Sequence, residues 1–226
     1  ASLVYMGVVA SVIGAESYVL SQVLVAAVPW IPALAWIIIL EALVVGLNLR
    51  GVKLAGRFQD VVTYSLVSSL LFFAFLALGR QGFSVPEPLV TGGAVNLINA
   101  VALGVFLFIG FEWVTPLAEE VTKIKLISRG MFLAIGLLSV TYALFTVGMS
   151  STVDPDLLSA TPAPQLLFAE RLLGKLGVGW MVALSLAASG TTFKAGLLSL
   201  SRFIYASARE HVLPSALARI NRRYFT

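Results

Sequence analysis

Apolar positions along this chain fall into long, nearly unbroken blocks, and polar and turn-forming residues collect between them. Six blocks predict membrane-spanning helices at Leu3–Val28, Ala33–Leu49, Val61–Leu78, Ala94–Ala118, Met131–Met149 and Val178–Ala206. A helix of roughly 20 apolar residues crosses a hydrocarbon core about 30 Å thick. The intervals carry helix-breaking residues: Pro29 and Pro32; then Gly79, Gly82, Pro86 and Pro88; then Asp154, Pro155, Pro162 and Pro164 in the longest connection. No block alternates with a period of two, which argues against a barrel. The expected fold class is all-α: a polytopic transmembrane bundle forming one domain over residues 1–226.

Composition sharpens this picture. The 226 residues are 59% hydrophobic and 12% charged, and a soluble domain of this length needs about 25% charged residues. The net charge of +4 does not point to nucleic acid, because the cations sit in short clusters beside apolar blocks and lack interleaved stacking aromatics. With no cysteine and a single histidine, His211, neither a thiolate metal site nor a Cys–His catalytic pair can be built. No phosphate-cradling glycine loop is present. These features predict neither an enzyme nor a cofactor or metal site. The chain opens at Ala1 inside an apolar block without a basic leader, which reads as a truncated start rather than a signal peptide.

Lys and Arg set the expected orientation. Arg50, Lys53, Arg57, Lys123, Lys125, Arg129, Arg202, Arg209, Arg219, Arg222 and Arg223 fall on one side of the six spans, and Arg80, Arg171 and Lys175 on the other. The positive-inside rule makes the first side cytoplasmic, so both ends of the segment lie in the cytoplasm. The cell (inner) membrane is the expected location.

Ionisable residues inside apolar spans are costly and need a reason. There are four: Glu16 in the first span, Glu41 in the second, Glu112 in the fourth and Lys194 in the sixth. The fourth span also carries backbone breakers. Gly110 interrupts Phe106-Leu107-Phe108-Ile109, and Pro116 would remove the hydrogen bond to the carbonyl of Glu112. A broken helix at membrane depth exposes N–H and C=O groups that can bind a zwitterion. Its alternative is a simple proline kink around a buried, hydrogen-bonded Glu112. Lys194 lies eight residues before Arg202, about 12 Å along a helix and too deep to snorkel easily. It needs a partner or must lose its proton.

Three motifs in order carry a family resemblance. Phe108-Ile109-Gly110-Phe111-Glu112 with Leu117-Ala118-Glu119-Glu120-Val121 resembles the sixth-helix signature of the amino acid–polyamine–organocation (APC) transporters. Asn48-Leu49-Arg50-Gly51-Val52-Lys53 with Gln59 resembles their link between helices four and five. Ser201-Arg202-Phe203-Ile204-Tyr205-Ala206 with Ala208-Arg209-Glu210 and Leu213-Pro214 resembles the end of helix eight. The resemblance implies a LeuT-like inverted-repeat fold, of which this chain holds about helices three to eight.

The same resemblance implies site residues. Phe106, Leu107, Phe108, Ile109 and Gly110 match the substrate-binding stretch of helix six, with Phe106 either an aromatic gate or ordinary packing. Thr192 matches a hydroxyl that ligates a cation in sodium-coupled relatives of the wider fold, or else it bonds its own i−4 carbonyl. Gly196, four residues on, shares its face. Glu112 is either a coupling acid or a structural acceptor. Lys194 is either ion-paired with Glu16 or Glu41 or takes a coupling role. The helix-five lysine of some members is absent here, where Thr63-Tyr64-Ser65-Leu66-Val67 stands. The Asn-Pro usual after Glu119-Glu120 is replaced by Lys123-Ile124; that acidic pair is either solvated or a cytoplasmic gate contact. The expected function is a secondary permease for amino acids or related amines, working by alternating access as a proton-coupled symporter or an exchanger. Expected partners are the small-molecule substrate, the lipid bilayer and, as a candidate, protons, with no nucleic acid. The alternatives are a membrane channel, for which no filter-like segment or acidic ring is seen, and a non-transporting scaffold.

Overall fold

The computed structural model describes residues 2–49, 56–83, 93–110 and 124–218. Among these residues seven α-helices follow in order: α1 Ser2–Ala27, α2 Ala33–Leu49, α3 Gly56–Gln81, α4 Gly93–Phe106, α5 Ile124–Thr152, α6 Pro155–Ala160 and α7 Pro164–Arg209; a 3-10 turn, Ser215–Ala218, comes after them. No strand occurs among the described residues. α1, α3, α5 and α7 are long and apolar enough to cross a membrane, and α2 and α4 are shorter apolar helices. The all-α class read from the hydropathy blocks is therefore the class observed.

The chain divides into two compact units. One comprises Ala1–Ser65 with Trp180–Thr226, and the other Leu66–Gly179; the divisions fall inside α3 and α7.

In the first unit α1 buries a stripe of Val9, Ile13, Ser17, Leu20 and Leu24, at the three-to-four-residue spacing that lines one helix face. α1 and α2 are joined by a short turn bracketed by Pro29 and Pro32, and they pack against one another. α7 runs antiparallel to α1: Glu16 meets Ser189, and Tyr5 meets Ser199. The ring of Tyr5 also stacks at 4.6 Å on Phe203.

The second unit is held by aromatic rings and small residues. Phe168 is fully buried between Phe73 and Phe145, with ring centroids at 6.1 and 5.2 Å. Gly148 of α5 lies against Ala74 and Ala77 of α3. A Cβ on Gly148 would sit 3.2 Å from the Ala74 Cα. Small residues permit such close helix approach where lipid supplies no hydrophobic driving force between helices.

α7 departs from the hydropathy reading, which starts a span only at Val178. Helix begins at Pro164 and runs for 46 residues. A straight helix of that length would measure about 69 Å, more than twice a hydrocarbon core. Gly174 interrupts it at φ 61°, ψ −148°, a conformation essentially reserved for glycine. The break frees carbonyls of the preceding turn. Arg80, at the end of α3, answers one of them: its Nη1 donates to the Leu172 carbonyl at 2.7 Å. A cation at a helix C-terminus also complements the dipole. Arg80 is exposed, so solvent screening limits the gain to about 1 kcal/mol. Arg80→Met, which keeps the aliphatic stem, is expected to lower thermal stability in detergent by about that amount. Arg80→Lys should recover part of it; a Met variant as stable as wild type would show the cap to be idle.

Candidate functional site

The fourth hydropathy block extends to Ala118, but α-helical bonding stops at Phe106. The next residues tighten into i to i+3 bonds: Leu107 N–H to Gly104 at 3.2 Å, Phe108 to Val105 at 3.0 Å and Ile109 to Phe106 at 3.2 Å. Gly110 then takes φ +107°. Bulky residues cannot adopt that angle without strain, and glycine can. Phe106, Leu107 and Ile109 are exposed and Phe108 is half-buried, its ring edge-on to Tyr142 of α5 at 5.9 Å. This stretch of aromatic side chains and irregular backbone belongs to the second unit. Glu112, Pro116 and the Glu119-Glu120 pair lie outside the described residues, as does the Arg50-Gly51-Val52-Lys53 part of the link motif.

The remaining candidates belong to the first unit. On α7, Gly196 is buried and Thr192 and Lys194 are half-buried. Ser189, Phe193, Gly196 and Ser199 make the buried stripe of this part of α7. Thr192 adjoins that stripe one turn before Gly196, and Lys194 projects about 200° away from Thr192.

Two intramembrane acids of the first unit, Glu16 and Glu41, receive hydroxyl donors. Ser189 Oγ donates to Glu16 Oε1 at 2.5 Å, which joins α7 to α1. Ser17 Oγ contacts Glu41 Oε1, which joins α1 to α2. Both serines are buried, Ser17 at 0% exposure. Lys194 is itself engaged in a polar or electrostatic interaction. Sequence reasoning singled out Glu16 and Glu41 but not Ser17, Tyr5 or Ser199. The missed signal lies in register: Ser17 occupies the Val9–Ile13–Leu20–Leu24 stripe, where a polar residue has to find a partner in a neighbouring helix.

Among the described residues no group of His, Asp or Glu is arranged to hold a metal. What the site offers is a helix interruption flanked by aromatic rings, and separately a set of carboxyl–hydroxyl pairs holding three helices together.

These features define a multi-helix membrane protein with an interrupted helix. The chain matches the family model for amino acid permeases over residues 1–226 and belongs to that family, within the APC superfamily. It is 29% identical over 187 residues to the human large neutral amino acids transporter small subunit 2, covering 77% of this chain and 34% of that protein. It is 29% identical over 227 residues to the mouse Asc-type amino acid transporter 1, covering 93% of this chain and 42% of the relative. It is 25% identical over 191 residues to the cystine/glutamate transporter of Pongo abelii, covering 80% and 37%. The chain thus spans about a third to two-fifths of the length of these relatives. No solved structure gives a significant match.

Proposed function

We propose that the chain works as part of a secondary transporter for amino acids or related amines. The observation that carries the reading is the interruption of α4 at Phe106 to Gly110, ending in the positive φ of Gly110, in a chain that matches amino acid permeases along its whole length. All three relatives named above are transporters of amino acids by their names. An irregular stretch at membrane depth is tolerated where it is buried or lines a cavity, and its backbone groups suit a substrate's ammonium and carboxylate. Phe106 to Gly110 take the recognition role, and Thr192 and Gly196 are a second set of candidate contacts on α7. Glu112, Lys194, Glu16 and Glu41 remain the candidates for coupling or gating. The clustering of eleven cations at one set of span ends favours cytoplasmic termini for this segment in a cell membrane. The activity is transport by alternating access rather than catalysis.

The test is uptake of labelled amino acids by the full-length protein in liposomes. Gradient-driven uptake identifies proton symport, and uptake only into vesicles preloaded with unlabelled substrate identifies exchange. The expected result is saturable uptake of at least one amino acid in one of these modes. No uptake from a broad panel of amino acids and amines under either condition would overturn the reading.

A further inference from the structure

Two polar contacts join α7 to α1 inside the first unit, and they lie far apart along the helices. Ser189 Oγ donates to Glu16 Oε1 at 2.5 Å, and Tyr5 Oη shares a hydrogen bond with Ser199 Oγ at 3.0 Å. Both serines are buried, Ser189 at 5% exposure and Ser199 at 1%. Eleven residues separate Tyr5 from Glu16 on α1, and ten separate Ser189 from Ser199 on α7. Those intervals measure about 16 and 15 Å along a helix. The two contacts therefore belong to one register of an antiparallel pair.

The contacts differ in how sharply they define that register. In lipid no hydrophobic force holds one helix against another, and a packed pair can slide by a turn, about 5.4 Å, into an alternative packing. Glu16 tolerates such a slide. Ser185 lies four residues before Ser189 and Thr192 three after it, both on the same side of α7, and both are half-buried. A slide of one turn in either direction thus offers Glu16 another hydroxyl. Tyr5 does not tolerate it. One slide brings Tyr5 opposite Ala195, which has no polar side chain, and parts its ring from Phe203, on which it stacks at 4.6 Å. The other brings it opposite Arg202 and carries that cation one turn further into the span, where charge is costly.

We propose that Tyr5 is the register-determining residue of the α1–α7 pair. Its hydrogen bond with Ser199 selects, among the packings open to Glu16, the one in which Glu16 takes Ser189 and Thr192 stays outside the contact. Thr192 lies seven residues from Ser199, about 10 Å along the helix, so Tyr5 acts on it at a distance, as a positioning residue. That last consequence rests on the substrate contacts proposed above for α7; the register itself does not.

The test is a distance between spin labels on α1 and α7 of the full-length protein in liposomes, read by pulsed electron resonance. Val8 and Leu186 are exposed and about three turns apart along the pair, so labels on Val8→Cys and Leu186→Cys register a slide almost one for one. This segment has no cysteine of its own, and any elsewhere in the protein are replaced. The parent should give one distance. Tyr5→Phe, which keeps the ring, and Ser199→Ala should each add a second, displaced by about 5 Å. Ser199→Thr, which keeps the hydroxyl, and Glu16→Leu should each retain the single distance. An unchanged distance in Tyr5→Phe or Ser199→Ala would overturn the proposal, as would a second distance in Glu16→Leu. Should Glu16→Leu fail to fold, the Tyr5 and Ser199 variants decide alone. In uptake assays, half the molecules in a wrong register would raise the KM of Tyr5→Phe about twofold, and the rise should vanish in a Thr192→Val background. A rise that persists there would overturn the route through Thr192. Failure of the parent to take up any amino acid would count against the transport function alone, and the distances would still decide the register.

Discussion

Gly177→Val is expected to abolish the folded form of the second unit. A Cβ built on Gly177 stands 2.3 Å from the carbonyl oxygen of Ala169 and 3.0 Å from the Cβ of Leu173. Ala169 precedes Gly177 by eight residues, which in an uninterrupted helix would put about 12 Å between them. The contact exists because the chain turns back sharply at Gly174, bringing the start of the next helix onto the end of the last. The obstructing atom is a backbone oxygen, not the movable tip of a side chain, and its own position is tied to fully buried neighbours at Phe168 and Ala169. Overpacking in a close-packed interior costs about 1–3 kcal/mol and occasionally more. The rigidity of both partners puts this position at the upper end, at about 3 kcal/mol or above, a large part of a typical domain's stability. Gly179→Val supplies the control, since nothing lies within 4 Å of a Cβ there. Purified yield and melting temperature in detergent should separate the two variants widely. Equal behaviour would mean that the turn at Gly174 does not hold Gly177 against the Ala169 carbonyl.

The turn at Gly174 also shows where hydropathy stops informing. The pattern places the ends of helices α1 and α2 within one residue, because each is one apolar block bounded by proline or charge, and it starts five residues inside α3 and seven inside α5, whose first turns carry polar and charged residues. It starts the sixth span at Val178, because Glu170, Arg171 and Lys175 dilute the hydropathy between Pro164 and Gly177. Those residues are nevertheless helical, with Phe168, Ala169 and Leu172 buried and the charged side chains outward. A moving average cannot distinguish an amphipathic helix from a polar connection, whereas burial of one face can. The informative signal was the spacing of Gly174 and Gly177, one allowing the turn and the other the close approach it creates.

The polar contacts were legible in part, and for a definite reason. Intramembrane acids are rare enough that Glu16 and Glu41 announce themselves as residues needing partners. Serines do not, because a hydroxyl in a helix can bond its own carbonyl one turn back, as Ser11, Ser139 and Thr141 all do here. Only the register between helices tells which serine turns outward to another chain segment. Ser189 meets Glu16, and Tyr5 meets Ser199, because α1 and α7 run antiparallel with their buried stripes in register. That relation is absent from either segment read alone. The expectation for Lys194 is an ion pair with Glu16 or Glu41 or a coupling role, and the hydroxyl contacts give each of those acids a second claimant.

Gly110→Ala is expected to lower amino-acid uptake by the full-length protein by about tenfold or more while sparing its folded yield. At φ +107° an L side chain is strained by about 1–3 kcal/mol, equivalent to a factor of about 5 to 150 in an equilibrium or rate. Relieving the strain moves the backbone at Gly110 and with it the stretch from Leu107 to Gly110, for which substrate recognition is proposed. The cost should be borne locally, because α4 has no buried residue among those described and the turn's described ring contact is the half-buried pair Phe108–Tyr142. Gly104→Ala is the matched control: it lies in regular helix with nothing within 4 Å of a Cβ, and alanine there should be neutral or slightly stabilising. Uptake lost in Gly110→Ala alone, with both variants equally folded, would tie the helix interruption to substrate handling. Equal uptake by the two variants would detach it from function and leave Gly110 as a means of ending a helix.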